Sequence, residues 1–161
     1  MKLYLLRHAT AVDIAPTDEA RALTPRGEEE ARRTGLALAK LGAELTHIGC
    51  SPLLRARQTA EIVARTLQFT GAPELLEELV NGTPTEMLLQ EVKARVGAKE
   101  FLLVGHMPSL AGHLSELVFS LPTARCGFTP AGCACVELKK LEVNGGRLLW
   151  FKTHAELAKN D

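Results

Sequence analysis

Two arginines and two histidines stand where apolar segments of this chain end or turn, and those residue types together suit the handling of an anion. The opening run MKLYLLRHATA passes from the apolar residues Leu3 to Leu6 directly into Arg7 and His8. That junction carries one permanent cation and one imidazole that titrates near neutral pH. His106 follows the apolar run FLLVG in the same manner. Arg55 lies early in SPLLRARQTAEIVARTLQ, where Ser51 as N-cap and Pro52 in the first turn announce a helix. Helix N-termini favour acids, so arginines at 55 and 57 cost roughly a few tenths of a kcal/mol each unless an anion compensates. Arg57 lies about 200° around the helix from Arg55 and is assigned to solvent. Phosphate is the anion that a helix N-terminus and a bidentate arginine grip best. A neutral imidazole can attack phosphorus in line. Neighbouring arginines keep it deprotonated and neutralise the equatorial oxygens of a loose transition state. The residues therefore point to phosphoryl transfer through a histidine nucleophile, with no metal or other cofactor expected.

Convergence of these side chains requires a particular order of elements. Leu3 to Leu6 read as a buried strand. After a polar loop around Asp13 to Arg21, LTPRGEEEARRTGLALAKLGA reads as a helix with Thr24 as N-cap, Pro25 at its first position and three glutamates in its opening turns. LTHIGC (45 to 50) is a second strand, and the helix after Ser51 buries Ala56, Thr59, Ala60, Val63 and Leu67. PELLEELVNGTP holds a short strand or irregular stretch, TPTEMLLQEVKARVG a helix with a core stripe at Leu88, Leu89, Val92 and Val96, KEFLLVGH a strongly apolar strand and MPSLAGHLSELVF a further helix. GCACVELKKLEV and GGRLLWFKT read as a hairpin across Asn144-Gly145-Gly146. The expected fold class is α/β: a mostly parallel central sheet with helices on both faces and an antiparallel C-terminal edge. In such sheets ligands bind beyond the carboxyl ends of the strands, where Arg7, His8 and His106 all fall.

Composition narrows the partners. The 161 residues fit one domain spanning 1–161, large enough to bury roughly 70% of its unfolded surface. With 19 Lys plus Arg against 19 Asp plus Glu, no overall positive field exists to hold nucleic acid or an anionic membrane. No apolar run approaches the roughly 20 residues of a membrane span and no signal peptide is evident, so a cytoplasmic location is expected. Cys50, Cys126, Cys133 and Cys135 match neither a redox pair nor zinc-binding halves and are read as buried, reduced thiols.

LLRHATA, SPLLRARQTAE and LLVGHMPSL, in this order, resemble the three core motifs of the histidine phosphatase superfamily. The resemblance implies that Arg7 and Arg55 bind phosphate, that His8 is the nucleophile that becomes phosphorylated, and that His106 contacts the phosphate and stabilises the transition state. Ala9 departs from the glycine usual after the first histidine. In larger members a glutamate between the second and third motifs is the general acid; in LLEELVNG the matching residue is Glu78, with Glu77 next in line. Only 50 residues separate Arg55 from His106, leaving little room for a lid over a small substrate. That brevity, with RALTPRG and RHAT, is similar to the small SixA-type branch of phosphohistidine phosphatases, in which Arg21 matches an arginine that could extend the anion site. The implied substrate is phosphohistidine on a partner protein; a small phosphate ester is the alternative, and a non-catalytic phosphate-binding domain a third reading. His47, His113, His154 and Trp150 are assigned to core or surface packing.

Overall fold

The computed structural model describes every residue except Val96, Ser120, Asn160 and Asp161. Strand β1 (Lys2–Arg7) leads through a long loop into helix α1 (Pro25–Lys40), then β2 (His47–Cys50), α2 (Leu54–Thr66) and the two-residue β3 (Glu74–Leu75). A 3₁₀ turn at Glu77–Leu79 precedes α3 (Thr85–Ala94), β4 (Glu100–Gly105) and α4 (Ser109–Leu117). The chain closes with β5 (Cys133–Leu138), β6 (Gly146–Lys152) and α5 (His154–Ala158). The strands form one sheet in the order β3-β2-β4-β1-β5-β6. The first four are mutually parallel, whereas β5 runs antiparallel to β1, and β6 antiparallel to β5. The expected α/β architecture is observed.

Successive strand residues face opposite sides. Leu3 and Leu5 of β1 join Phe101, Leu103 and Val136 against α3 and α4, which contribute Leu88, Leu89, Val92, Leu110 and Leu114. Tyr4 and Leu6 join Ile48, Leu102, Val104 and Cys135 against Ala37 and Leu38 of α1, Ala56, Ala60 and Val63 of α2, and Leu157 of α5. Both sheet faces are thus covered, which is why β1 and β4 read as continuous apolar runs. Val96, the fourth residue of the expected stripe, lies outside the described residues. The four cysteines are buried and free, and among the described residues no helix is long and apolar enough to cross a membrane.

Two expectations are corrected, and one helix is added. Ser51 is not the N-cap of α2: Leu53 takes that place without a side-chain bond, because the Ser51 N–H still extends the sheet by donating to the Val104 carbonyl (3.0 Å). The C-terminal connection is longer than a tight turn, since β5 ends at Leu138 and β6 begins at Gly146. Helix α5, too short to show periodicity, is held by a capping box between Thr153 and Glu156.

Candidate active site

The parallel strands bring β1, β2 and β4 to the same carboxyl edge. In that register Arg7 lies opposite Gly105 and Cys50 opposite Val104, so Arg7, Ser51 and His106 leave the sheet at one level. The His8 N–H donates to the Gly105 carbonyl (3.0 Å) and extends the ladder by one bond. His8 and His106 meet with ring centroids 5.1 Å apart.

The loop after His8 is fastened on several sides. The Ala9 N–H donates to Thr59 Oγ1 of α2 (3.1 Å) and the Thr10 N–H to Glu30 Oε2 of α1 (3.0 Å). The Thr10 carbonyl accepts from both the N–H (3.0 Å) and the hydroxyl (3.2 Å) of Thr24, the N-cap of α1. Ala9 is fully buried and is not among the positive-φ residues, so a Cβ there is accommodated. His8 Nδ1 lies 2.7 Å from the Ala9 carbonyl, which can only accept. Nδ1 therefore carries the ring proton, and Nε2 is left with an available lone pair.

Both arginines are anchored. Arg7 donates from Nη1 to the Phe128 carbonyl (2.8 Å). Arg55, only 6% exposed, donates from Nη1 to the Asp18 carbonyl (2.8 Å) and from Nη2 to Asp18 Oδ2 (3.0 Å). Asp18 Oδ1 accepts from Arg21 Nη1 (3.1 Å), and Arg21 Nε donates to the Val12 carbonyl (2.7 Å). The anion that the arginine near this helix start demanded is thus supplied, in the chain itself, by Asp18. The Glu19 carbonyl caps the first N–H of α2, that of Leu54 (3.1 Å). Arg57 is exposed, as its helical position predicts.

His106 is buried, with Nε2 2.8 Å from Ser51 Oγ. The Leu53 N–H also donates to that Oγ (3.3 Å). With Oγ accepting from Leu53, the Ser51 hydroxyl hydrogen is assigned to Nε2, which puts the His106 ring proton on Nδ1. Nδ1 of His106, Nε of Arg7 and Nε of Arg55 are all buried with no partner among the described residues. Burial and the charges of Arg55, Arg7 and Arg21 press His8 down to about 4, against the opposing pull of the Ala9 carbonyl. Burial, His8, Arg55 and Arg7 press His106 to about 3, with Asp18 pulling the other way. Both imidazoles are neutral at physiological pH. The arrangement can present a neutral nucleophilic nitrogen beside three N–H donors, the requirements for in-line displacement at phosphorus.

Glu78 sits half-buried on the 3₁₀ turn, on the same edge of the sheet: a Cβ at Gly105 would lie 3.4 Å from the neighbouring Leu79 carbonyl. Arg21 is brought to the site, but its head group is spent on Asp18 and Val12. The remaining histidines stand apart: His47 packs on Phe101 at 5.4 Å, and His113 meets Thr85 Oγ1 at 2.8 Å. Trp150 is half-buried against Tyr4. Among the described residues no cluster of His, Cys, Asp or Glu has the makeup of a metal site. Sequence reasoning missed Asp18, which lies in an aperiodic polar loop, and misassigned Ser51; only the unexplained cation at Arg55 signalled that an acid was needed.

A doubly covered, mostly parallel sheet with two imidazoles and two arginines at the carboxyl edge of its parallel strands defines the class as α/β proteins built for phosphoryl groups. The chain belongs to the histidine phosphatase superfamily (branch 1), whose family model matches residues 3–101, and it is a phosphatase of that superfamily. Phosphohistidine phosphatase SixA of Escherichia coli (strain K12) is 31% identical over 119 residues, 73% of this chain and 74% of that protein. An uncharacterized protein of Picosynechococcus is 37% identical over 124 residues, 74% of each chain. The protein histidine phosphatase SixA complexed with tungstate superposes with a TM-score of 0.89 at 27% identity, covering 98% of this chain and 99% of that one.

Proposed function

We propose that this chain, as a single domain over 1–161, removes phosphate from phosphohistidine on a partner protein by way of a phosphorylated His8, without a metal. The observation that carries the reading is that, among the described residues, three buried N–H groups without protein partners, Arg7 Nε, Arg55 Nε and His106 Nδ1, belong to the side chains whose charge or ring reaches the His8 imidazole. Phosphoryl oxygens supply the acceptors that these donors lack. The tungstate named in the SixA structure is an oxyanion of comparable charge and size, which supports the same use here.

In the first step His8 Nε2 attacks phosphorus, the bond from phosphorus to the substrate imidazole breaks, and the departing nitrogen takes a proton. Glu78 is assigned that proton transfer, a light task because the imidazole of a phosphoramidate leaves phosphorus more readily than the alkoxide of an alkyl phosphate. In the second step water gives a proton back to Glu78 and attacks phosphorus, the bond to Nε2 breaks, and phosphate departs. Arg7, Arg55 and His106 stabilise the equatorial oxygens in both steps, with the arginines carrying the charge that a metal supplies elsewhere. Arg21 acts on the site through Asp18 and through its charge. A protein-borne substrate suits the short span between Arg55 and His106, which is used up by α2, β3, the 3₁₀ turn, α3 and β4.

Parallel turnover of a phosphohistidine-bearing protein and of sugar phosphates, each with and without EDTA, tests the reading. The expected result is a kcat/KM at least about tenfold higher on phosphohistidine, unchanged by chelation. Preference for sugar phosphates would make the protein a small-molecule phosphomonoesterase, and loss in EDTA restored by metal would remove the metal-free mechanism.

A further inference from the structure

The two arginines share one geometry with different anchors. Each gives its Nη end to a protein acceptor and keeps Nε buried without one. A guanidinium is planar and rigid, so fixing its Nη end fixes the direction of its Nε–H. For Arg7 the acceptor is a main-chain carbonyl. For Arg55 half of the anchor is the Asp18 carboxylate, whose second oxygen is held by Arg21, itself tied to the Val12 carbonyl. Val12, Arg21, Asp18 and Arg55 form a continuous brace running from the loop after His8 to the first turn of α2.

We infer that Asp18 is a positioning residue that aims the Nε edge of Arg55 at the phosphoryl group; the inference rests on the phosphoryl-transfer reading above and deepens it. Asp18 need not leave for substrate to enter, because it uses one hydrogen on each Nη while Nε–H and a second Nη hydrogen remain for a side-on grip. It carries no proton to give, because the two guanidiniums hold its carboxyl below the usual carboxylate range. Nor is stability its main contribution, since the Asp18 side chain is 58% exposed and ion pairs of that kind contribute little.

The test compares Asp18→Ala and Asp18→Asn with the unmodified protein for kcat and KM on phosphohistidine, inhibition by orthovanadate, and thermal midpoint. Asp18→Ala is expected to lower kcat by about 30-fold with KM changed only a few-fold, the pattern of a misaimed donor. Vanadate, which mimics the pentacoordinate state, should weaken in parallel, with the midpoint moved by less than about 3 °C. Asp18→Asn should recover to within about fivefold of the unmodified rate, because its amide oxygen can still accept from Arg55 Nη2. Tighter vanadate binding by Asp18→Ala would make the carboxylate a competitor for Arg55. An Asn variant as impaired as the Ala variant would make it a proton carrier, and a lowered midpoint with kcat intact would make it structural; each overturns the inference. Arg55→Ala in the same assay separates this from the underlying reading, which fails if that variant keeps its full rate.

Discussion

Gly27 shows how closely the fold holds the segment carrying His8. It occupies the third position of α1, and a Cβ built there would lie 2.0 Å from the Thr10 carbonyl oxygen. Contacts below 3.0 Å are essentially never seen for real Cβ atoms, so Gly27→Ala must drive the loop and helix apart by about 1 Å. The atom met is backbone and cannot rotate away. Thr10 is moreover held by Glu30 and by both groups of Thr24, so displacement loosens three hydrogen bonds as well. Alanine in place of glycine within a helix by itself gains up to about 1 kcal/mol. Overpacking against a fixed backbone costs about 1–3 kcal/mol, and the lost bonds add to that, so the clash prevails. For a domain of this size the thermal midpoint should fall by about 2–12 °C. Because Thr10 lies two residues from His8, a shift of about 1 Å should lower kcat/KM by about 10- to 100-fold. Differential scanning calorimetry and steady-state kinetics on the same preparation would measure both. A Gly27→Ala protein with a raised midpoint and unchanged kcat/KM would refute the claim that α1 positions this loop.

Arg55→Ala should lower kcat/KM by on the order of 10²-fold or more, the loss expected for one preorganised donor at a phosphoryl group. Its midpoint should change little, because a lost ion pair to an exposed carboxylate is offset by removing a cation from a helix start. Arg57→Ala, exposed on the same helix, is the control and should match the unmodified protein in both measurements. His8 must be neutral to attack and is held at about 4, so kcat/KM, corrected for substrate ionisation, should stay level through pH 6.5 and fall only towards pH 4. Folding stability behaves differently: unfolded histidines take up protons near their ordinary value of 6.5, while folded His8 and His106 resist until about 4 and about 3. Thermal midpoints should therefore be level above pH 7 and decline as pH drops from 6.5 towards 4. An acid limb of kcat/KM near 6.5 would mean that the nucleophile is solvated as an ordinary imidazole.

Much of the fold was legible because both faces of β1 and β4 are buried and because α1 announces itself through Thr24, Pro25 and its glutamates. Features set by long-range contacts were not. Ser51 has the local look of an N-cap, yet its hydroxyl serves His106, 55 positions away, a contact that no local pattern encodes. Asp18 looks like any solvated loop acid until the fold lays it on Arg55, 37 positions on. Gly27 is unremarkable in sequence, and only the passage of Thr10 over α1 shows why a side chain is unwelcome there. The strand-end placement of Arg7, His8 and His106 was readable because a parallel sheet fixes which edge its strands' carboxyl ends share.

The most direct test of the central claim is to quench the protein during turnover of a ³²P-labelled phosphohistidine substrate, under alkaline conditions that preserve phosphoramidates, and to map the label. The expected result is an acid-labile phosphoryl group on His8, absent from His8→Ala, which should also have no measurable turnover. Label on another residue, or a His8→Ala protein that still forms phosphoenzyme and turns over, would contradict the assignment of His8 as the nucleophile.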